Sequence, residues 1–214
     1  MKRFTVILAA MLCITAIQKD LFPENGWNLL RDEQGIRIYS RPVPGSSIDE
    51  YMGVTIIKAP VETVQKVLGD ISSHVIWRYN CIESRIIRKK DDSDMIIYTI
   101  TKTPWPLSYR DVVLNVTRRI LPDKNTVIIN MKALTQNLVP MSKKYVRIRK
   151  LEGKWVLERK GAGRTLITYT NMLDPAGSIP ESMANRASSE MPFNTLRGLH
   201  RMVEKICSGH VPRI

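Results

Sequence analysis

The sequence predicts a single α+β domain in which a curved antiparallel β-sheet wraps a long C-terminal helix. Six strand-like runs, separated by short turn signals, follow one another between residues 82 and 173. Apolar residues then recur at helical spacing over residues 181–207. A chain of 214 residues with 43% hydrophobic content is large enough to bury one core, which favours a single domain.

The first residues match the pattern of a secretory signal peptide. Lys2 and Arg3 precede an apolar run over residues 4–14, which small and polar residues follow. This pattern predicts cleavage after Ala16 and export, either to the periplasm or out of the cell. A lipoprotein anchored at Cys13 and an uncleaved N-terminal helix are the alternatives. The predicted divisions are a signal peptide (1–16), a short segment (17–25), the main domain (26–207) and a tail (208–214).

The chain is strongly basic, with 33 Lys and Arg residues against 20 Asp and Glu residues. Loss of Lys2 and Arg3 with the signal would take the 33 basic residues to 31 and the formal charge from +13 to +11. Such a field attracts anionic membrane surfaces and nucleic acids. Nucleic acid is the poorer match, because single strands stack on aromatic side chains and only 7% of residues are aromatic. We therefore expect transient membrane contact and no nucleic-acid partner. Because the basic residues are dispersed, a solvated strand face with a basic bias is the alternative explanation of the charge.

The chain before residue 82 predicts short helices and two strands. Its elements are a short helix that ends at a glycine (26–35), strands over 36–41 and 50–58, a helix from Pro60, and a helical stretch over 70–77. Proline suits the first position of a helix, where its missing N–H costs nothing. Ser72 or Ser73 is the predicted cap of the second helical stretch.

The six strands of the predicted meander span residues 82–89, 95–102, 111–121, 126–133, 144–157 and 165–173. Neighbouring strands joined by short turns pair antiparallel. Side chains alternate between faces with a period of two, so every second residue shares one face. The predicted inner face carries Val112, Leu114 and Val116, with Ile96, Tyr98 and Ile100 before them and Val127, Ile129 and Met131 after them.

The predicted C-terminal helix carries an apolar stripe. Leu196, Leu199, Val203 and Ile206 mark it, and Met183, Ala187 and Met191 continue it toward the start of the helix. Pro192 removes one backbone hydrogen bond and is expected to kink the helix. The two methionines would form a pliable wall against a ligand, although plain core packing explains them equally well.

A tryptophan between two prolines marks the loop before the third predicted strand of the meander. Pro104 and Pro106 cannot lie in a helix or a central strand, so they hold Trp105 in a loop. The ring could cover a cavity, contact a membrane interface or pack as in an ordinary loop. Arg110 and Asp111 follow at the loop junction, where an ion pair would stabilise the turn. Contact between Arg110 and an acidic lipid group is the alternative.

These motifs, in this order and spacing, resemble the StAR-related lipid transfer (START) domain over residues 26–207. The elements that carry the resemblance are Trp27-x-Leu29-Leu30, Gly35-Ile36-x-Ile38-Tyr39, Asp70…Trp77, Pro104-Trp105-Pro106-Leu107-Ser108-x-Arg110-Asp111 and Asp174-Pro175-x-Gly177-x-Ile179-Pro180. The resemblance implies a helix-grip fold with a hydrophobic tunnel between the sheet and the C-terminal helix. It also implies a lipid or sterol ligand and, with the signal-like start, a bacterial exported member.

The resemblance suggests which residues would contact the lipid. Cholesterol-carrying members have a buried acid–base pair, whose positions here hold Ile100 and Val116. A phosphate-binding arginine of the phosphatidylcholine carrier corresponds to His74, which could donate a hydrogen bond to a headgroup. The alternative is a core or surface histidine whose hydrogen bonds are satisfied within the protein. The expected lipid-binding residues are His74, Tyr98, Ile100, Trp105, Leu114, Val116, Met131, Met183 and Met191.

No catalytic motif stands out in the sequence. We therefore expect a non-catalytic monomer that carries lipid between membranes, without a metal or cofactor. The alternative is an enzyme of the related polyketide cyclase/aromatase group that uses the same cavity. Cys81 and Cys207 lack zinc-site spacing, and whether they form a disulfide is open.

Overall fold

The computed structural model describes residues 26–210, apart from positions 47, 124, 162, 178 and 180. The predicted signal peptide and the segment 17–25 lie outside the described residues. Ten strands form one sheet in the order β1-β2-β3-β10-β9-β7-β6-β5-β4, with β8 paired parallel to β6. The strands are β1 (Asn28–Glu33), β2 (Ile36–Arg41), β3 (Glu50–Ile57), β4 (Cys81–Asp91), β5 (Asp94–Thr101), β6 (Tyr109–Ile120), β7 (Thr126–Ala133), β8 (Tyr145–Arg147), β9 (Lys150–Arg159) and β10 (Thr165–Asp174).

Three helices accompany the sheet in the described residues: α1 (Val61–Gly69), α2 (His74–Trp77) and α3 (Glu181–Cys207), with a 3-10 turn (Ile71–Ser73) between the first two. None of the described helices is long and apolar enough to cross a bilayer. The structure confirms the α+β helix-grip class and the bounds of the C-terminal helix. Pro60 precedes α1 rather than starting it, and the side chain of Asp70, not of Ser72 or Ser73, caps the 3-10 turn.

The segment predicted as a first short helix is instead strand β1. Gln34 and Gly35, with φ angles of 54° and 72°, form a two-residue turn that pairs Glu33 with Ile36. Positive φ at both turn residues matches the twist of a tight β-hairpin. The pairing partner β2 therefore decides the conformation of β1. Its apolar residues follow no helical stripe, since Leu29 and Leu30 are both exposed.

The predicted strand 144–157 is two strands, β8 and β9. Residues 148 and 149 separate the two strands, and the N–H of the buried Ile148 still donates to the carbonyl of Asp111 in β6 at 2.8 Å. Strand β8 therefore pairs with β6, whereas β9 turns away to pair with β7 and β10. The other five strands of the predicted meander are confirmed within two residues at each end.

Helix α3 packs across β2, β3 and β10 at very short range. A Cβ atom on Gly53 of β3 would lie 2.5 Å from Cδ1 of Leu196. A Cβ atom on Gly198 would lie 1.9 Å from the backbone oxygen of Trp77 in α2. Glycine thus permits two close approaches that locate the helix against both the sheet and α2. These contacts leave no room for a ligand at those two crossings.

Candidate functional site

An internal cavity of about 30 Å³ lies between the α1–α2 segment and the curved part of the sheet. Its volume corresponds to about one water molecule. The lining residues are Leu68, Ile71, His74, Trp77, Arg78, Ile97, Val116, Ile129, Met131 and Trp155. The expected tunnel between the sheet and the C-terminal helix is therefore not open. None of the cavity-lining residues belongs to α3, because that helix packs directly on β2, β3 and β10.

Four predicted lipid-binding residues lie on the inner side of the sheet. His74, Val116 and Met131 line the cavity. Leu114 is fully buried in the same core cluster without lining the cavity. Sequence periodicity therefore identified the inner faces of β6 and β7 correctly.

Tyr98 and Ile100 face the opposite side of the sheet, so their predicted inward orientation is wrong. Leu114 pairs with Ile97, and this register brings the odd-numbered residues of β5 to the inner face. Tyr98 and Ile100 instead pack in an outer cluster with Val113 and Val139. A shift of one residue in register moves every side chain of a strand to the other face. The sequence cannot reveal this register, because both faces of β5 are apolar.

In the half of α3 before Pro192, the face of the helix that packs inward is not the predicted face. Met183 is 42% exposed and Ala187 is also exposed, so neither forms an inner wall. Among residues 183–191, Ala184 and Ser188 are the buried ones. Met191 is half-buried and accepts a contact from the Tyr169 hydroxyl at 3.6 Å, at the edge of the core. Small residues face inward here because the helix lies close to the sheet.

His74 is buried as a neutral ring with both nitrogens engaged. Its Nε2–H donates to the carbonyl of Leu68 at 3.1 Å, and its Nδ1 accepts from the Ser84 hydroxyl at 3.4 Å. Burial, with a smaller contribution from the positive charge of Arg78, lowers the pKa of His74 to about 4. The ring edge packs against Trp77, with centroids 5.2 Å apart. His74 therefore has no free N–H for a headgroup in this structure, which matches the alternative of a satisfied core histidine.

This environment predicts that the free energy of unfolding decreases as pH falls from about 6.5 to about 4. In that window the unfolded chain binds a proton at His74 and the native state does not, so protons favour unfolding. The full loss is at most about 3 kcal/mol. Urea denaturation at pH 7 and pH 5 should show a smaller difference for His74→Gln than for the parent.

His200 provides the comparison for that measurement. Its pKa is also lowered by burial, while Glu204 opposes the shift, and its Nε2 lies 2.9 Å from the Thr55 hydroxyl. The variant His200→Gln should remove a separate, additive part of the pH dependence. A His74→Gln variant that keeps the whole difference between pH 7 and pH 5 would contradict the assignment.

Arg78 is a cavity residue that the sequence analysis did not single out. It follows α2 by one residue and lies four positions after His74, so both side chains lie on one side of this segment. Its charge reaches the fully buried Tyr169, where burial raises the pKa of the phenol and Arg78 opposes that rise. Tyr169 stacks on the cavity residue Trp155 at 4.0 Å. A helical spacing of four from His74 was the signal that could have identified Arg78.

Arg110 and Asp111 do not form an ion pair with each other, because adjacent strand residues point to opposite faces. Arg110 donates to the carbonyls of Pro175 and Ala176, at 3.1 and 3.2 Å, and to the carbonyl of Ser108. It therefore ties the loop of Trp105 to the loop before α3, which uses its donors and leaves the alternative lipid contact unsupported. The predicted structural role of Arg110 at the loop junction is confirmed. It stabilises the junction by hydrogen bonds to backbone carbonyls and not by the predicted ion pair.

Asp111 instead pairs with Arg147 on the outer face of the sheet. Two hydrogen bonds join the carboxylate to the guanidinium, at 2.9 and 2.8 Å. The hydroxyl of Tyr98 donates to the same carboxylate at 2.9 Å. Arg147 also donates to the carbonyl of Val139, so the cluster holds the connection between β7 and β8 against the sheet. Tyr98 is thus a structural residue and not part of the cavity.

Trp105 projects from its loop and is 91% exposed. The loop itself is held by Thr103, whose hydroxyl lies 2.7 Å from the carbonyl of Ser108 and 3.1 Å from that of Leu107. The prediction that Trp105 lies in a loop is confirmed. The alternative that its indole ring packs as in an ordinary loop is wrong, because the ring is exposed. Trp105 is not among the residues that line the cavity.

A larger groove of about 460 Å³ lies on the surface between α1 and the ends of β4–β6. Its charged lining is balanced, with Glu62, Asp70 and Asp92 opposite Lys66, Lys89 and Arg118. Lys89 and Asp92 already pair at 2.6 Å. We place the candidate site in the smaller internal cavity, because its lining is mostly apolar and its one charge is not balanced.

The two cysteines of the described chain are both free, Cys81 buried and Cys207 exposed. Cys81 and Cys207 therefore do not form a disulfide bond. Within residues 26–210, apart from the undescribed positions, no cluster of His, Cys, Asp or Glu could hold a metal ion.

The fold and the site define a protein whose curved sheet grips a C-terminal helix and encloses an internal, mainly apolar cavity. The sequence profile of the START domain matches residues 15–209. The chain therefore belongs to the START domain family.

The similar proteins agree with this membership. The chain is 37% identical to an uncharacterized protein of Pseudomonas aeruginosa, over 95% of this chain and 97% of that protein. A crystal structure of a STAR-related lipid transfer protein from Xanthomonas axonopodis has a TM-score of 0.78 and 33% identity, covering 84% of this chain and 99% of that one. The phosphatidylcholine transfer protein of Mus musculus is 23% identical, with 86% of each chain covered. An aromatase/cyclase from Streptomyces, at 14% identity and a TM-score of 0.53 over 74% of this chain and 94% of that one, shows the fold alone.

Proposed function

We propose that the protein binds one lipid or sterol molecule in its internal cavity and carries it between membranes. The observation that carries this proposal is the cavity between the α1–α2 segment and the inner face of β5, β6, β7 and β9. Family relatives named for lipid transfer and phosphatidylcholine transfer support it. Each CH₂ group of a lipid gains about 0.8 kcal/mol when it leaves water for such an interior.

Uptake of a lipid requires the cavity to expand, because about 30 Å³ holds only a water-sized guest. The α1–α2 segment is the wall that can move, since it consists of two short helices joined by a 3-10 turn. It supplies four of the ten lining residues, including Leu68 and Ile71. Movement of this segment away from the sheet would join the cavity to the surface.

The test is mass spectrometry of lipids that co-purify with the protein, together with extraction of lipid from vesicles. We expect near-stoichiometric bound lipid and measurable extraction. The variant Val116→Phe fills the cavity and should reduce both by tenfold or more. Ile120→Phe adds the same ring to an exposed site on the same strand and serves as the matched control. A parent protein that neither carries nor extracts lipid would overturn the proposal.

A non-catalytic role is part of the proposal. The titratable side chains that line the cavity are His74 and Arg78. Because the nitrogens of His74 are engaged and its pKa is lowered to about 4, it is a weak general base at neutral pH. Release of a chemically altered lipid, detected in the same mass spectra, would instead favour the cyclase-like alternative.

We also propose that Trp105 inserts into the membrane surface from which lipid is taken. The exposed indole suits the interface between headgroups and acyl chains, and the basic chain is attracted to anionic lipid. Trp105→Ala should weaken binding to vesicles of phosphatidylcholine and phosphatidylglycerol by about tenfold, or about 1.4 kcal/mol. Leu30→Ala, which removes an exposed apolar side chain from β1, should have little effect. Equal binding of both variants in a vesicle sedimentation assay would exclude this role.

We propose finally that the signal peptide is cleaved after Ala16 and that the protein is exported as a monomer. This proposal rests on the charged and apolar pattern of residues 1–16. Mass spectrometry of the protein isolated from cells should give an N-terminus at Ile17, and light scattering should give the mass of a single chain. An intact Met1 or a retained lipid at Cys13 would contradict the cleavage.

A further inference from the structure

The cavity contains a positive charge that no acidic side chain balances. Arg78 lines the cavity, and its charge acts on the buried groups His74 and Tyr169. Its side chain is half-buried, and its guanidinium group lies at the cavity within hydrogen-bonding reach of the Tyr169 hydroxyl. None of the cavity-lining residues is acidic, and no described carboxylate lies within ion-pair distance of Arg78. Arg78 is only half-buried, so water can still reach it, but a ligand that fills the cavity would exclude that water and would need to supply an anionic partner.

Two buried N–H donors lie in the same region without an acceptor. Trp77 lines the cavity with 5% of its surface exposed, and its Nε1–H has no partner among the described residues. Asn171 is 2% exposed, and its Nδ2 group also lacks a described partner. A Cβ atom placed on Gly153 would lie 2.6 Å from Cε of the cavity residue Met131 and 3.7 Å from Oδ1 of Asn171. Asn171 therefore adjoins the cavity at Met131.

All of these groups donate hydrogen bonds, so each of them needs an acceptor as its partner. An unpaired buried donor costs about 1–3 kcal/mol, so an acceptor that enters the cavity recovers that energy. Phosphate and carboxylate oxygens accept several hydrogen bonds and also neutralise a guanidinium group. A sterol hydroxyl or an ester carbonyl would satisfy a donor but would leave the charge of Arg78 unbalanced.

We propose that the ligand is a lipid with an anionic oxygen group, a phosphate or a carboxylate, which Arg78 and Trp77 bind inside the cavity. This proposal rests on the proposed lipid-binding function and specifies the class of lipid. The anionic group lies at the end of α2, and the acyl chain extends along the apolar inner face that contains Ile97, Val116 and Ile129. Asn171 is the third donor, from the side of Met131.

The experiment compares extraction from neutral vesicles that contain one test lipid at a time. The test lipids are phosphatidic acid, oleate, cholesterol and diacylglycerol. We expect the parent to extract phosphatidic acid, oleate or both at least tenfold better than the two neutral lipids. Preference for phosphatidic acid identifies a phosphate headgroup, and preference for oleate identifies a carboxylate.

Three variants assign this preference to the cavity. Arg78→Gln should lower extraction of the anionic lipid by tenfold or more, and Arg78→Lys should restore part of it. Trp77→Phe removes the Nε1–H and keeps an aromatic ring, so a severalfold loss is expected. Arg88→Gln removes the same charge from the exposed face of β4 and is the matched control for attraction to the membrane. Circular dichroism confirms that each variant is folded.

The outcomes separate this proposal from the function on which it rests. Good extraction of cholesterol or diacylglycerol, unchanged in Arg78→Gln, would overturn the anionic class and keep lipid carriage. Extraction of no lipid at all would overturn the function itself. Thermal stabilisation of the parent by inorganic phosphate, without lipid extraction, would show a site for a free anion and would reject the lipid assignment.

Discussion

Replacement of Gly198 by alanine is expected to destabilise the protein by about 3 kcal/mol or more. The new Cβ would lie 1.9 Å from the carbonyl oxygen of Trp77 and 2.9 Å from its carbonyl carbon. Both atoms belong to the backbone, so no change of side-chain rotamer relieves the clash. Helices α2 and α3 must separate, and the core around Trp77 and Leu199 loses its contacts. Urea denaturation followed by circular dichroism measures the loss.

Gly69→Ala is the matched control for this substitution. Gly69 is the last residue of α1, and a Cβ atom added there has no neighbour within 4 Å. Alanine is favoured over glycine in helices by about 0.5–1 kcal/mol, so this variant should be unchanged or slightly more stable. A Gly198→Ala variant as stable as Gly69→Ala would show that α2 does not lie against α3 as described.

The substitution Asp111→Asn is expected to cost about 3–5 kcal/mol of unfolding free energy, because it leaves a buried guanidinium without its carboxylate. The side chains of Asp111 and Arg147 are 1% and 7% exposed and share two hydrogen bonds. Hydrogen bonding to this carboxylate raises the pKa of Arg147. Burial raises the pKa of Tyr98, and its hydrogen bond to Asp111 raises it further. Denaturation with urea at pH 7 is the measurement.

An exposed ion pair on neighbouring strands provides the comparison. Lys132 of β7 and Glu152 of β9 pair at 2.8 Å with both side chains largely exposed. Glu152→Gln should cost less than about 1 kcal/mol, because solvent screens such pairs. The double substitution Asp111→Asn with Arg147→Met should recover part of the loss by removing the unpaired charge. Equal costs for Asp111→Asn and Glu152→Gln would contradict the described burial.

Most elements could be predicted from the sequence, because their signals are local. The turn residues between β4 and β5 and between β6 and β7 limit those strands, and the loop before α3 precedes a helical spacing that continues to Cys207. The prolines around Trp105 excluded regular structure there, which is a steric property of the residues themselves. The apolar alternation of β6 and β7 likewise predicted that Val116 and Met131 face inward.

Three features of the fold and the site could not be predicted, because they depend on pairing and packing with other segments. The orientation of Tyr98 follows from the register of β5 against β6, and both faces of β5 are apolar. The rotation of α3 that buries Ser188 and exposes Met183 follows from its close packing on the sheet. The conformation of β1 follows from its pairing with β2.

The sequence by itself determined the class of the fold, most strands of the meander with their turns, and the loop that holds Trp105. These properties arise from turn chemistry and side-chain periodicity, which act over a few residues. Only the tertiary structure placed the cavity beside the α1–α2 segment and brought Arg78 into it without a counter-charge. The reason is physical: a cavity and the balance of its charges depend on how distant segments pack, and local spacing contains no information about that packing.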